Sequence, residues 1–379
     1  MKIGIFTNNF TPIVSGVTNS VENFRKGLEK LGHEVFVFAP AYPGYEDKDD
    51  HIFRYPSSPL KYKAKYPIPL PSYKVLSFAR EAKLDMVHAQ HPWAIGASGL
   101  KIGRKLNIPV LFTNHTRYEY YVDYVPPLLP KKLLIKIVED ASTRFANKSD
   151  AVIAPTPGIE DYLRKNGVTK PIYVAPSGVD FSALQSSPSA KLRSKYKIPK
   201  EDRIIINVSR IGPEKNLPTI LKAFKLILEK EPNTTLVMVG GGPFLEELKK
   251  IAKQLKVDKK TIFTDLVPFE AVGGNLKDAD LFIHASLSET QGLVMLEAMA
   301  MSLPVMAVKA SGVIDIVESN KNGQMTENSP EALAEATLKA LLSKTEMAKL
   351  TKGALATARE YEVGKTTKRL EGIYKELVK

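Results

Sequence analysis

The chain of 379 residues contains no cysteine, which excludes disulfides, thiolate nucleophiles and cysteine-held metals. No apolar run reaches the roughly eighteen residues that a membrane span needs. The opening MKIGIFTNNF lacks the long apolar core and small-residue cleavage site of a signal peptide. A cytoplasmic protein is the expectation. Acidic residues are the scarcer charge: 41 against 54 basic ones give a net charge of +13 and a pI near 9.4. The excess is no tail, because residues 1–180 hold 24 basic and 17 acidic side chains and the remainder 30 and 24. Such a balance suits phosphates, nucleic acid or an anionic membrane. No zinc pattern, aromatic sheet motif or helix-turn-helix signal accompanies it, so no nucleic-acid partner is expected.

What is present is a globular composition, 44% hydrophobic and 25% charged, in a length that suits two domains. The first half alternates short apolar runs (KIGIFTN, HEVFVFAP, DMVHAQ, PVLFTNH, AVIAPT, IYVAPSG) with amphipathic stretches such as SVENFRKGLEKLG. The second half repeats the plan with RIIINVSR, TLVMVGGG, TIFTDLV, LFIHAS and PVMAVKA around helical segments at LPTILKAFKLILEKEP and FLEELKKIAKQL. Strand–helix alternation implies an α/β fold of parallel sheets covered by helices on both faces. The polar stretch FSALQSSPSAK, residues 181–191, reads as the seam between domains at 1–180 and 181–379. Ligands of such sheets sit beyond the carboxyl ends of the strands, in the cleft expected between two such domains.

The strongest local signal is HASLSETQGLVMLEAMA, residues 284–300. A strand runs into a polar loop holding Glu289, and a helix expected to begin at Gln291 or Gly292 carries Glu297. Gly292 permits close backbone approach, and the unpaired amides of the first turn, at Leu293, favour an anion. In NVSRIGPEKN, residues 207–216, a strand ends at Arg210 and a Gly-Pro turn returns Lys215 to the same edge, two cations able to neutralise a diphosphate. GGGP, residues 240–243, is similar to a dinucleotide fingerprint, but Pro243 follows directly and Leu245 stands where the third Gly belongs, which disfavours a Rossmann oxidoreductase.

Taken in order, Gly16-Val17, PSGVD, SRIGPEKN, GGGP and ETQGLVMLEAMA resemble the retaining glycosyltransferases of GT-B fold, whose mark is a Glu pair with seven residues between. The resemblance spans nearly the whole chain. It implies two Rossmann-like domains facing across a cleft, an N-terminal one for the acceptor and a C-terminal one for a nucleotide sugar, with the last helix packing back on the first. It implies that Arg210 and Lys215 grip the donor diphosphate, Glu297 holds the ribose and Glu289 contacts the transferred sugar. Gly16 and Val17, placed in the first strand–helix loop, would lie under the phosphates, and Gly241, Gly292 and Leu293 would complete the donor site. His115, in TNHT at a strand end, matches the family's active-site histidine. No protein nucleophile is implied: the departing phosphate oxygen takes the acceptor's proton in a front-face displacement.

TNHTRYEYYVDYVP, residues 113–126, resembles the corresponding segment of bacterial diacylglycerol glucosyltransferases, which implies UDP-glucose as donor, diacylglycerol as lipid acceptor, and Tyr118 and Tyr121 near it. Independently, residues 61–83 interleave basic side chains with Tyr, Pro, Leu, Val and Phe, and VPPLLPKKLLIKIVEDA sets Lys131, Lys132 and Lys136 among leucines and isoleucines. Such mixtures suit the anionic inner face of the cell membrane, with a peripheral rather than spanning attachment. The competing reading is a helix with an inward apolar face and an outward basic one. No cofactor or metal is expected. Asp278 and Asp280 form an Asp-x-Asp string but precede a strand, and Asp47, Asp49 and Asp50 fall in a charge-rich loop expected to be solvated. Rival readings are a phosphatidylinositol mannosyltransferase, a soluble-acceptor glycosyltransferase, and a GT-B-fold epimerase or phosphorylase.

Overall fold

The structure, a computed structural model, describes residues 1–13, 15–62, 66–124 and 129–379, without the side chains of 59–62, 66, 121, 123 and 124. The chain forms two compact units, Met1–Gly178 with Val363–Lys379, and Val179–Glu362. The stretch 181–191 lies inside the second unit, where Asp180 caps a helix at Phe181–Ser186 by accepting from the Ala183 amide at 3.0 Å.

The first unit is built on a seven-stranded sheet in the order Ile52–Tyr55, Glu34–Pro40, Lys2–Phe6, Met86–Ala89, Val110–Thr113, Ala151–Ala154, Ile172–Val174. Every neighbouring pair is parallel. An antiparallel pair, Ser57–Tyr62 with Tyr66–Pro69, stands apart from it. The terminal helix Val363–Leu377 completes this unit. Its Leu370, Ile373 and Tyr374 are buried with Ile3, Val21, Leu28 and Val35, and it lies so close to the helix Gly16–Lys30 that a Cβ on Gly27 would come within 2.3 Å of Thr367 Oγ1. Inside, the Tyr374 hydroxyl and His88 Nδ1 are 2.6 Å apart.

The second unit holds a six-stranded parallel sheet in the order Thr261–Phe263, Thr234–Val239, Arg203–Val208, Leu281–His284, Val305–Val308, Gly323–Thr326. Its strands read as continuous apolar runs because both faces are covered. The two-residue alternation of a strand is visible in how they divide. Ile204, Ile206, Val237, Val239, Phe282, Val305 and Ala307 pack into one core, and Ile205, Leu236, Met238, Leu281, Ile283, Met306 and Val308 into the other. Helix Leu217–Lys230 enters the second core through Leu217, Ile220, Leu221, Phe224 and Ile227, the helical spacing that the sequence displays.

In chain order the sheet of the second unit runs 3-2-1-4-5-6, and the first unit repeats this with a seventh strand appended. Strand order reverses between the first and fourth strands, so the loops leaving their carboxyl ends diverge to opposite faces and open a crevice. In the second unit these strands are Arg203–Val208 and Leu281–His284, the two that lead into the Arg210–Lys215 and Glu289 loops.

The GGGP run shapes the same edge by packing. A Cβ on Gly240 would fall 2.0 Å from the Ser209 carbonyl oxygen and one on Gly242 2.2 Å from that of Ile211, so neither loop could hold its place against a side chain. The Ile211 amide donates to the Gly241 oxygen at 2.9 Å. Gly242→Ala should therefore destabilise the protein by about 2 kcal/mol or more, whereas Gly241→Ala, whose Cβ would meet nothing closer than 3.4 Å, should cost about 1 kcal/mol or less, as read by thermal or urea unfolding.

Candidate active site

In the second unit the two central strands are tied where they end. Asn207, buried, donates its amide to the Ile283 carbonyl at 2.8 Å and accepts from the Ser209 hydroxyl at 3.0 Å. Beyond Arg210 the chain turns at Gly212 into a short 3-10 segment, Pro213–Lys215, and leaves it through Asn216 in the left-handed region (φ 52°). The Asn216 side chain donates to the Ala285 carbonyl at 3.2 Å, fastening this turn to the end of the other strand. Lys215 is thereby set against the neighbouring loop, where its Nζ donates to Glu289 Oε1 at 2.6 Å. Arg210 ion-pairs with Glu214 of its own turn, whose side chain is only 3% exposed.

The electrostatics of Glu289 follow from this contact. Burial alone would raise its pKa, but the charge of Lys215, that of His284 once it is protonated in acid, and the hydrogen bonds from Lys215 and Ser286 outweigh it and hold the carboxyl at about 2. It is ionised at any working pH. His284, at the end of its strand, is 1% exposed, with its Nε2 3.7 Å from Glu289 Oε1. Burial lowers its pKa to about 4, so its ring is neutral. Its sequence context carries no signal beyond a polar residue closing an apolar run.

Gly292 adopts the left-handed conformation (φ 77°), which sets the helix start at Leu293, and the helix Leu293–Ala300 has no side-chain cap. The amides of Leu293 and Val294 lie ahead of any intrahelical acceptor and mark an anion-favouring end. Glu297 lies further along this helix, 8% exposed, and burial pushes its pKa up to about 7. Arg210, Lys215, Gly241, Glu289, Gly292, Leu293 and Glu297 thus all belong to the second unit: Gly241 follows strand Thr234–Val239, and the others lie on loops and a helix that follow the two central strands.

The other sequence candidates belong to the first unit. Gly16 and Val17 are not in a loop, as the sequence suggests, but are the first residues of helix Gly16–Lys30, because Ser15 caps it by accepting from the Thr18 amide at 3.1 Å. A Cβ on Gly16 would meet nothing within 4 Å. His115 follows strand Val110–Thr113, its Nε2 2.6 Å from Oε1 of the buried Gln90, and burial lowers its pKa to about 4. Beside this pair at the carboxyl edge, His91 Nδ1 accepts from the Asn8 amide at 3.1 Å. Gln90, His91 and Asn8 are polar residues directly after apolar strands, a weak signal that the strand ends could have supplied. Tyr118 packs against Trp93, ring centroids 4.5 Å apart, and the Tyr121 side chain lies outside the described residues. Lys131, Lys132 and Lys136 are exposed on helix Lys131–Lys148, and so are Leu133 and Ile137, at 46% and 43%. Those two apolar side chains do not face inward.

The aspartates have local partners. Asp278 accepts from the Ser189 hydroxyl at 2.7 Å and the Leu192 amide at 2.9 Å, and Asp280 from the Ile204 amide at 2.8 Å, at the amino edge of the sheet. Asp47 and Asp49 are not simply solvated: Arg54 donates twice to Asp47, at 2.6 and 2.8 Å, and Arg25 ion-pairs with Asp49.

The raised pKa of Glu297 makes a stability prediction. The folded state holds that proton more tightly than the unfolded chain, so the contribution is full below about pH 4.5 and is lost as pH rises through about 7. Glu297→Gln removes this loss. Without ligand, its stability relative to wild type should increase by about 2 kcal/mol between pH 5 and pH 8 in urea unfolding.

Comparison with known proteins agrees with this architecture. Residues 14–183 match the family described as Glycosyltransferase Family 4, and residues 188–356 match Glycosyl transferases group 1. The chain is 34% identical over 357 residues to alpha-monoglucosyldiacylglycerol synthase of Streptococcus pneumoniae (strain ATCC BAA-255 / R6), covering 92% of this chain and 80% of that protein. It is 32% identical over 341 residues to the synthase of the same name from Acholeplasma laidlawii, covering 85% and 84%. Among solved structures, Anabaena HepE in complex with UDP and glucose superposes with a TM-score of 0.81 at 19% identity, each chain covered in full, a likeness of fold. With two Rossmann-like sheets, a Glu289–Glu297 pair opening the helix after a central strand, and these relatives, the chain belongs to the GT-B glycosyltransferases, as a hexosyltransferase related to the alpha-monoglucosyldiacylglycerol synthases.

Proposed function

We propose that the protein transfers glucose from UDP-glucose to the 3-hydroxyl of diacylglycerol, with retention at the anomeric carbon, at the inner face of the cell membrane. The observation that carries this reading is the constellation at the reversal of strand order in the second unit, where Lys215, Arg210 and the open end of helix Leu293–Ala300 follow the central strands. A departing diphosphate needs counter-charge, and these groups supply it without a metal ion. Glu297 would accept from the ribose hydroxyls and Glu289 from the hexose. As the anomeric carbon–oxygen bond to phosphate breaks, the acceptor oxygen bonds to the same face, and its proton passes to the leaving diphosphate. His115, neutral and oriented by Gln90, suits a hydrogen bond to a sugar hydroxyl.

Glucose and diacylglycerol are favoured by the names of the two similar synthases, and UDP by the ligands of HepE. A membrane surface is favoured by exposed apolar groups set among cations: Leu129, Leu133 and Ile137 beside Lys131, Lys132 and Lys136, and Ile68, Leu70 and Tyr73 beside Lys74. Cations of this kind are each worth about 1 kcal/mol near an anionic surface, and apolar side chains beside them add insertion. Among the described residues no helix is long and apolar enough to cross a membrane. The attachment proposed is peripheral.

Two outcomes test this. Lys215→Ala and Arg210→Ala should each lower turnover of UDP-glucose with diacylglycerol in mixed micelles by about a hundredfold or more, undiminished by EDTA in the wild type, while the melting temperature moves little. Full activity in both variants would remove the diphosphate grip. Sedimentation with phosphatidylglycerol vesicles should weaken as salt rises, and weaken further when Lys131, Lys132 and Lys136 are all replaced by Glu. Indifference to salt and to the replacement would remove the membrane reading.

A further inference from the structure

Besides the Ser286 hydroxyl, the Glu289 carboxylate has two basic neighbours of different kind. Lys215 holds Oε1 at 2.6 Å, and His284 Nε2 stands 3.7 Å from the same oxygen, too far for a hydrogen bond. The His284 ring is 1% exposed, lies nearly parallel to Phe282 with centroids 6.1 Å apart, and among the described residues neither of its nitrogens has a hydrogen-bond partner. Buried polar groups of this kind are rare, and each calls for a reason. A neutral imidazole carries one N–H, which suits it to donate to a carboxylate without adding charge.

The proposed function asks Lys215 to serve the donor diphosphate, and in the structure its Nζ donates to Glu289. A lysine drawn toward two phosphates leaves a buried carboxylate short of a donor. We propose that His284 is a positioning residue for Glu289: when the donor's diphosphate draws Lys215 away, the His284 N–H closes its gap and takes the lysine's place on the carboxylate. The exchange keeps Glu289 ionised and aimed while its cation works elsewhere. It also couples donor entry to the readiness of the sugar contact, since the carboxylate is committed to Lys215 until a diphosphate arrives. This rests on the diphosphate-grip reading of Lys215, and the test separates the two.

The experiment measures UDP binding by calorimetry and steady-state transfer from UDP-glucose for the wild type, Lys215→Ala, His284→Leu and His284→Gln, with melting temperatures for all. Gln can present an N–H near the position of Nε2, and Leu cannot. His284→Leu should weaken UDP binding about tenfold, because the diphosphate then takes Lys215 from a buried carboxylate that has no replacement N–H, and should lose about ten- to a hundredfold in kcat, the range of one hydrogen bond to a charged group. His284→Gln should recover most of that loss. Lys215→Ala should weaken UDP binding at least tenfold. Full kcat in His284→Leu, or equal losses in Leu and Gln that follow a lowered melting temperature, would overturn the role of His284 while leaving the grip of Lys215 standing. Unchanged UDP affinity in Lys215→Ala would overturn the grip, and the exchange with it.

Discussion

The reversal of strand order in the second unit is the constraint on which the functional chemistry depends. Between Arg203–Val208 and Leu281–His284 the crossovers go to opposite faces, so the two departing loops cannot fill the space between them. Asn207 and Asn216 hold those loops in register across the gap, and the glycines at 240 and 242 let the next loop of the sheet pack closely against Ser209 and Ile211. What remains is a crevice lined by strand-end side chains and by the start of a helix. Lys215 and Glu289, 74 residues apart in sequence, meet there because the sheet leaves them nowhere else to go.

The two glutamates differ electrically. Both are shielded from water, yet Glu289 is held at about 2 by the cation beside it while burial lifts Glu297 to about 7. Like residues therefore have unlike properties: one a fixed charge, the other a group whose charge depends on pH and on what binds. A nucleotide sugar presents both a strongly charged diphosphate and neutral diols: cations such as Lys215 and Arg210 suit the first, and carboxylates that accept from hydroxyls suit the second.

Much of this was legible in the sequence. Alternating apolar runs announce the parallel sheets, because strands buried on both faces must be apolar throughout. The loops bearing Arg210, Lys215 and Glu289 could be placed at strand ends from local pattern alone. Three things were not legible. The pairing of Lys215 with Glu289 depends on loop conformation, set by the left-handed Asn216 and by contacts far along the chain. The start of the first helix at Gly16 depends on the Ser15 cap, outweighed in the sequence by the stronger amphipathic pattern from Ser20 onward. His284 is hidden because one imidazole at the end of the apolar run Leu281, Phe282, Ile283 reads as core, and only its nitrogens, without hydrogen-bond partners among the described residues, mark it. The apolar side chains at 133 and 137 stood between two readings, since periodicity alone cannot say which face of a basic helix is buried, and the structure leaves them exposed.

The central claim is that the second unit recognises a diphosphate through fixed cations and helix amides. Calorimetric titration of the wild-type protein with UDP and, separately, with uridine, in metal-free buffer at low and high salt, tests it most directly. The account predicts that UDP binds at least about a hundredfold more tightly than uridine, with the difference shrinking as salt rises. Equal affinity for the two, or a preference that appears only when a divalent cation is added, would contradict it.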